Sequence, residues 1–89
     1  MSTRWLPAET SPVELTIPHA AQIRAAWLER LAGHPAGENV ELDLSNVQEI
    51  DSAGVQLLLA LRASLARRGA RLALVEPSAA TREALATLG

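Results

Sequence analysis

The segment from Val40 to Leu65 constrains the fold most, because its hydrophobic period changes once along its length. Val40-Glu41-Leu42-Asp43-Leu44 alternates apolar and polar residues, which is the period of a half-buried strand. Leu57, Leu58, Leu61 and Leu65 then recur at helical spacing. Between the two patterns stands Ile50-Asp51-Ser52-Ala53-Gly54. A strand that feeds a helix through a short polar turn is half of a βαβ unit.

The rest of the chain repeats this grammar. Val13-Glu14-Leu15-Thr16-Ile17 is a second alternating strand. Pro18 suits the first turn of a helix, where its missing N–H costs nothing. Ala20, Ile23, Trp27 and Leu31 give that helix its inner face, and Gly33 and Pro35 end it. The second helix is expected from about Ala53 to Arg68, closed by Gly69 as a left-handed cap. Arg71 to Val75 reads as a further strand. Ser78 is a good N-cap for a terminal helix whose inner face is Ala84, Leu85 and Leu88. Residues 1–12, with Pro7 and Pro12, read as a short edge strand around Arg4–Leu6 and then a turn.

Strands separated by single helices imply right-handed crossovers and a largely parallel sheet. A sheet covered on both faces carries continuous apolar strands. Here Glu14, Thr16, Glu41, Asp43 and Arg71 fall on the opposite parity from Leu15, Ile17, Leu42, Leu44, Leu72 and Leu74. The expectation is therefore a two-layer α/β domain spanning residues 1–89, with helices mainly on one face.

Composition removes several functions. The 89 residues include no cysteine, which excludes disulfides, thiol catalysis and cysteine-held metals. The net charge is −2, and the eight basic residues are scattered arginines, which is no nucleic-acid footprint. The N-terminus lacks an apolar leader core and no apolar run reaches a membrane span, so a cytoplasmic location without membrane insertion is expected. Trp5 and Trp27 are the sole aromatics, too few for base-stacking platforms.

The turn itself offers chemistry. Asp51 or Ser52 can accept an orphan N–H of the helix that follows, and Gly54 permits close approach to the backbone. As structure alone, this is a helix cap. On a helical wheel, Gly54, Leu57, Leu58, Leu61 and Leu65 form a core stripe of roughly 100°. Ser52, Gln56, Leu59 and Ala63 point the other way, with Val55 and Arg62 beside them. Apolar residues running back from a capping serine suit a partner footprint. The expected partner-binding set is therefore Asp51, Ser52, Gly54, Val55, Gln56, Leu59, Arg62 and Ala63. A hydroxyl at a helix N-terminus is also a reasonable phosphate acceptor, since the helix dipole tolerates the added charge. Asp51 next to it would oppose that charge.

At these residues the sequence resembles the STAS domains, named for sulfate transporters and anti-sigma factor antagonists. Three blocks carry the resemblance: Val13–Ile17, the strand Val40–Ser45, and Ile50-Asp51-Ser52-Ala53-Gly54 with its leucine-rich helix. It covers about residues 13–88. It implies a mixed four- to five-stranded sheet with helices and a non-enzymatic role. In bacterial partner switching, such domains bind an anti-sigma serine kinase when unphosphorylated and are released once phosphorylated. Members that switch this way usually carry Asp-Ser-Ser-Gly, with the acceptor serine directly before glycine. That position is Ala53 here, so Ser52 is the one candidate acceptor. Members with a single hydroxyl after the aspartate resemble those found with chemotaxis gene clusters or lipid-asymmetry ABC transporters. The Leu15–Ala21 stretch leans toward the chemotaxis-associated kind.

Other chemistry finds little support. His19 and His34 lie at opposite ends of the first helix, without partners at ligand spacing, and are expected to face solvent with no metal. Asp43 follows the logic of a phospho-acceptor near a strand end. However, the chain is too short for a five-fold βα receiver and has no lysine to contact a phosphoryl group. No Gly-rich phosphate loop and no nucleophile–base pair appear, so neither an enzyme nor a cofactor is expected. Three functions remain: a regulatory module docking a kinase, anti-sigma factor or chemotaxis component through Ser52–Ala63; an accessory subunit binding a transporter ATPase; and a nucleotide-binding protein using the Asp51–Gly54 loop.

Overall fold

The computed structural model describes residues 2–5 and 14–88. In chain order the elements are β1 (Ser2–Trp5), β2 (Glu14–Leu15), α1 (Ile17–Ala32), β3 (Asn39–Asp43), β4 (Glu49–Ile50), α2 (Ser52–Arg67), β5 (Leu72–Val75) and α3 (Ala79–Leu88). The expected turn within residues 7–12 lies outside the described residues, as do Leu6, Val13 and the side chain of Leu88.

Five strands form two parallel sheets rather than one mixed sheet among the described residues. β3 is central to a three-stranded sheet, with β1 on one side and β5 on the other. β2 and β4 pair separately, Leu15 opposite Ile50. The alternation in β3 holds: Val40 and Leu42 are buried while Glu41 and Asp43 are half-exposed. Leu44 continues the buried parity just past the strand end. Helices therefore cover one face and leave the other to polar side chains, which gives the two-layer α/β structure.

The helices dock by their apolar stripes. Ile23, Trp27 and Leu31 of α1 meet Leu57, Leu58, Leu61 and Leu65 of α2 in one core cluster with Trp5, Leu15, Val40, Leu42, Leu44 and Val47. Burying each such side chain contributes about 1.5–3 kcal/mol relative to leaving it in water. α2 ends as expected on Gly69, at φ +74°. The N–H of Ala70 donates to the Leu65 carbonyl at 2.9 Å, and that of Gly69 to the Ala66 carbonyl at 3.0 Å. This is a Schellman closure, with its apolar contact supplied by buried Ala70 and Leu65. Ser78 caps α3, its Oγ accepting the Thr81 N–H at 3.2 Å.

Three expectations are corrected. β2 stops at Leu15 because α1 already begins at Ile17, with Pro18 in its first turn. Ile17 is thus 67% exposed instead of lying on a buried strand face. The turn before α2 follows β4 rather than the longer strand β3. Between them Asp43 Oδ1 accepts both the N–H and the hydroxyl of Ser45, at 2.9 and 2.7 Å, an Asx turn that ends β3. Two residues are too few for β4 to show a period. His34 is 7% exposed rather than solvent-facing. Its Nε2 lies 2.6 Å from the Glu38 carbonyl oxygen and its ring stands edge-on to Trp5. His19 keeps partial exposure and sits 3.7 Å from a Glu14 carboxylate oxygen.

Candidate functional site

Asp51 ties three elements together. Its N–H donates to the Leu15 carbonyl of β2 at 3.2 Å. Its Oδ1 accepts the Gly54 N–H of α2 at 3.1 Å, and its Oδ2 accepts the Ile17 N–H of α1 at 2.9 Å. One carboxylate therefore satisfies an orphan donor at the start of two helices. Thr16, which precedes α1, makes no side-chain cap bond, and its buried hydroxyl oxygen has no hydrogen-bond partner. The cap of α1 comes instead from Asp51, distant in sequence. The Ile17 N–H, opposed by partial desolvation and helped by the Gly54 N–H, holds the Asp51 carboxyl below its ordinary range. Asp43 is lowered too, first by the Ser45 hydroxyl and then by the Ser45 N–H.

Gly54 is where α2 presses on β2. A Cβ at this position would lie 2.1 Å from the Leu15 carbonyl oxygen and 2.8 Å from Ile50 Cγ1. The close approach read from the sequence is thus made by the chain's own strand. Gly54 is buried and offers a partner no surface.

Val55 is a second correction to the expected docking face, being 1% exposed. The wheel treated α2 as covered along a single stripe. In the fold α2 packs against both α1 and α3, and the buried side of the helix extends to Val55. Leu59, one turn on, is half-buried. What reaches solvent is Ser52, Gln56, Arg62 and Ala63, with Leu59 at the edge and Asp51 half-exposed at the head. No hydrogen bond ties the Ser52 hydroxyl to the described residues.

The sequence reading missed Ile17. Its N–H is bonded to Asp51, so the start of α1, with an exposed apolar side chain, is tied to the turn that precedes Ser52. The signal was Pro18: a proline in the first turn places the helix start just before it, and Ile17 then leaves the strand pattern. An open groove of about 540 Å³ borders the site on the other side, where Glu49, Asp51 and Glu83 make the lining acidic and Ile50, Ala80 and Ala84 make its floor apolar.

The Gly54 amide at the start of α2 is already held by the Asp51 carboxylate. No helix among the described residues is long and apolar enough to cross a membrane. No curated protein and no solved structure gave a significant match. Residues 13–89 match the family described as "Mlab, STAS domain". That match spans nearly the whole chain and takes in the β2, β3 and Ile50–Gly54 blocks together, so the chain belongs to the STAS domain family, whose members act in regulatory protein–protein interactions.

Proposed function

We propose that this protein is a regulatory docking module of the anti-sigma factor antagonist type, binding a protein partner through the solvent-facing side of α2 headed by Ser52. The observation that carries the reading is the division of labour at the turn. Asp51 is consumed by capping, its Oδ2 holding the backbone of the exposed Ile17, whereas Ser52 is exposed and makes no hydrogen bond to the described residues. An apolar side chain, a small hydroxyl, Gln56 and Ala63 give a partner a largely uncharged surface to cover, with Arg62 as the exposed charge to be paired. The partner classes are a serine kinase or anti-sigma factor, or a chemotaxis component.

Phosphorylation of Ser52 is the proposed switch. The phosphate would bring roughly −1.5 to −2 charges to a neighbourhood that already holds Asp51, Glu49 and Glu83. The N-terminus of α2 favours such a charge and the acidic neighbours oppose it, so modification should weaken any acidic partner strongly. A second reading, an accessory subunit of a lipid-asymmetry ABC transporter bound to its ATPase, is favoured by the family description naming Mlab. It uses the same face.

Purified chain should be titrated against each partner class, with calorimetry as the readout. Binding by one class, weakened at least about tenfold by Ser52→Trp and by Ile17→Asp with melting unchanged, supports the reading. Partner binding untouched by both substitutions sinks it. Ser52→Asp separates the two modes: lost affinity marks a phosphoswitch, and retained affinity marks constitutive docking.

A further inference from the structure

A second recess, lined among the described residues by α1 and α2, has a different character from the Ser52 face. Its floor is Trp27, Leu31, Leu57 and Leu61, all buried. One wall is Leu28, which is 45% exposed, and Arg24 and Arg67 stand on its rim. The groove encloses about 250 Å³, below the about 300–1,000 Å³ of pockets that enclose a drug-sized ligand. It has room for side chains rather than for a metabolite.

Charge identifies the occupant. Among the described residues, no acidic one lines the groove. α2 carries no aspartate or glutamate from Ser52 to Arg67, on a chain whose net charge is −2. Neither Arg24 nor Arg67 makes an ion pair among the described residues. Arg67 only donates to Ser64 Oγ at 3.2 Å, which leaves most of its donors for an incoming carboxylate. The floor is recessed between two helices, a shape that receives the ridge of a third helix. A membrane surface would instead require the apolar residues to project.

We infer that the α1–α2 groove docks an amphipathic helix of a partner protein, seating aliphatic side chains over Trp27 and Leu57 and pairing flanking carboxylates with Arg24 and Arg67. The surface shares only Ala63 with the Ser52 face and stands independently of it.

The test titrates a synthetic helix, with leucines at i, i+3, i+4 and i+7 and glutamates on the flanks, into the isotope-labelled full chain. Its lysine counterpart serves as the control. Saturable shifts confined to the groove, including the Trp27 indole N–H, are expected for the glutamate peptide only. Arg24→Glu with Arg67→Glu should weaken that binding at least about tenfold, as should Leu28→Glu, whereas Ser52→Trp should leave it intact. Equal binding of the lysine peptide, or binding indifferent to the arginine substitutions, overturns the inference. So does an arginine-dependent response to anionic phosphatidylglycerol vesicles without any to the peptide, or arginine-dependent self-association of the chain. Circular dichroism of each variant, matching the parent, ensures that a loss reads the groove and not the fold.

Discussion

At the scale of single residues, Gly54 and Asp51 show how steric and electrostatic demands fix a turn. Gly54→Ala forces a Cβ onto a backbone oxygen that cannot rotate away, so α2 must lift from β2. The expected cost is about 3 kcal/mol or more, read as a lower urea midpoint. Gly33→Ala is its control, since nothing lies within 4 Å of that position and the change should stay within about 0.5 kcal/mol. Asp51 makes a pH-dependent contribution. Its carboxyl is depressed in the fold, so its stabilisation is complete above the ordinary unfolded value of about 3.9 and fades as pH falls through the lower folded value. Asp51→Asn should therefore be less stable than the parent at neutral pH, and that gap should narrow below about pH 4. Parallel thermal melts at the two pH values check it; a gap that widens in acid would contradict the assignment. The sequence marked both residues as a cap and a close approach. It did not reveal that the approaching group is Leu15, or that the cap serves α1 as well, because hydrogen bonds between distant segments leave no periodic trace.

At the scale of elements, the helix ends were legible because they are local. The Schellman closure at Gly69 needs a left-handed residue just after the last turn, and glycine adopts it without steric penalty. Gly69→Ala places a Cβ at φ +74° and should cost about 1–2 kcal/mol, seen as a melting temperature lowered by several degrees. The start of α1 is legible in part: Pro18 marks the first turn, yet the alternation carries Ile17 into the preceding strand. Backbone geometry overrode alternation there. The short strand β4 leaves no signal, and helical spacing makes the outward face of α2 wider than it is. Periodicity reports which side of a helix is apolar, not how many neighbours cover it. α2 packs against both α1 and α3, and Val55 is buried while Leu59 is half-buried. Of the expected face, Ser52, Gln56, Arg62 and Ala63 thus remain exposed, and Ile17 is an exposed apolar side chain on another element.

At the scale of the whole molecule, the core joins segments from both ends of the chain. Trp5 on β1 is 1% exposed, its ring 5.4 Å beneath the Arg30 guanidinium carbon and edge-on to His34. A domain this short has little stability to spare, on the order of 5–10 kcal/mol. Trp5→Ala should remove about 3–5 kcal/mol of it. The variant should melt far earlier than the parent and with less cooperativity, as calorimetry would show. An unchanged melt would mean that β1 is dispensable. The sequence by itself determined the three helices, the helix caps at Ser78 and Gly69, the alternation of β3 and the polar second face of the sheet. Each of those follows from residues close together in the chain, whose spacing sets periodicity, backbone angle or cap. Only the tertiary structure decided the separation of two parallel sheets, the burial of Val55 and His34 and the exposure of Ile17. It also decided the double duty of the turn the site is built on, where Asp51 holds α1 and α2 while Ser52 stays uncommitted. Those depend on which distant surfaces meet, and burial and long-range hydrogen bonding are properties of the packed chain alone.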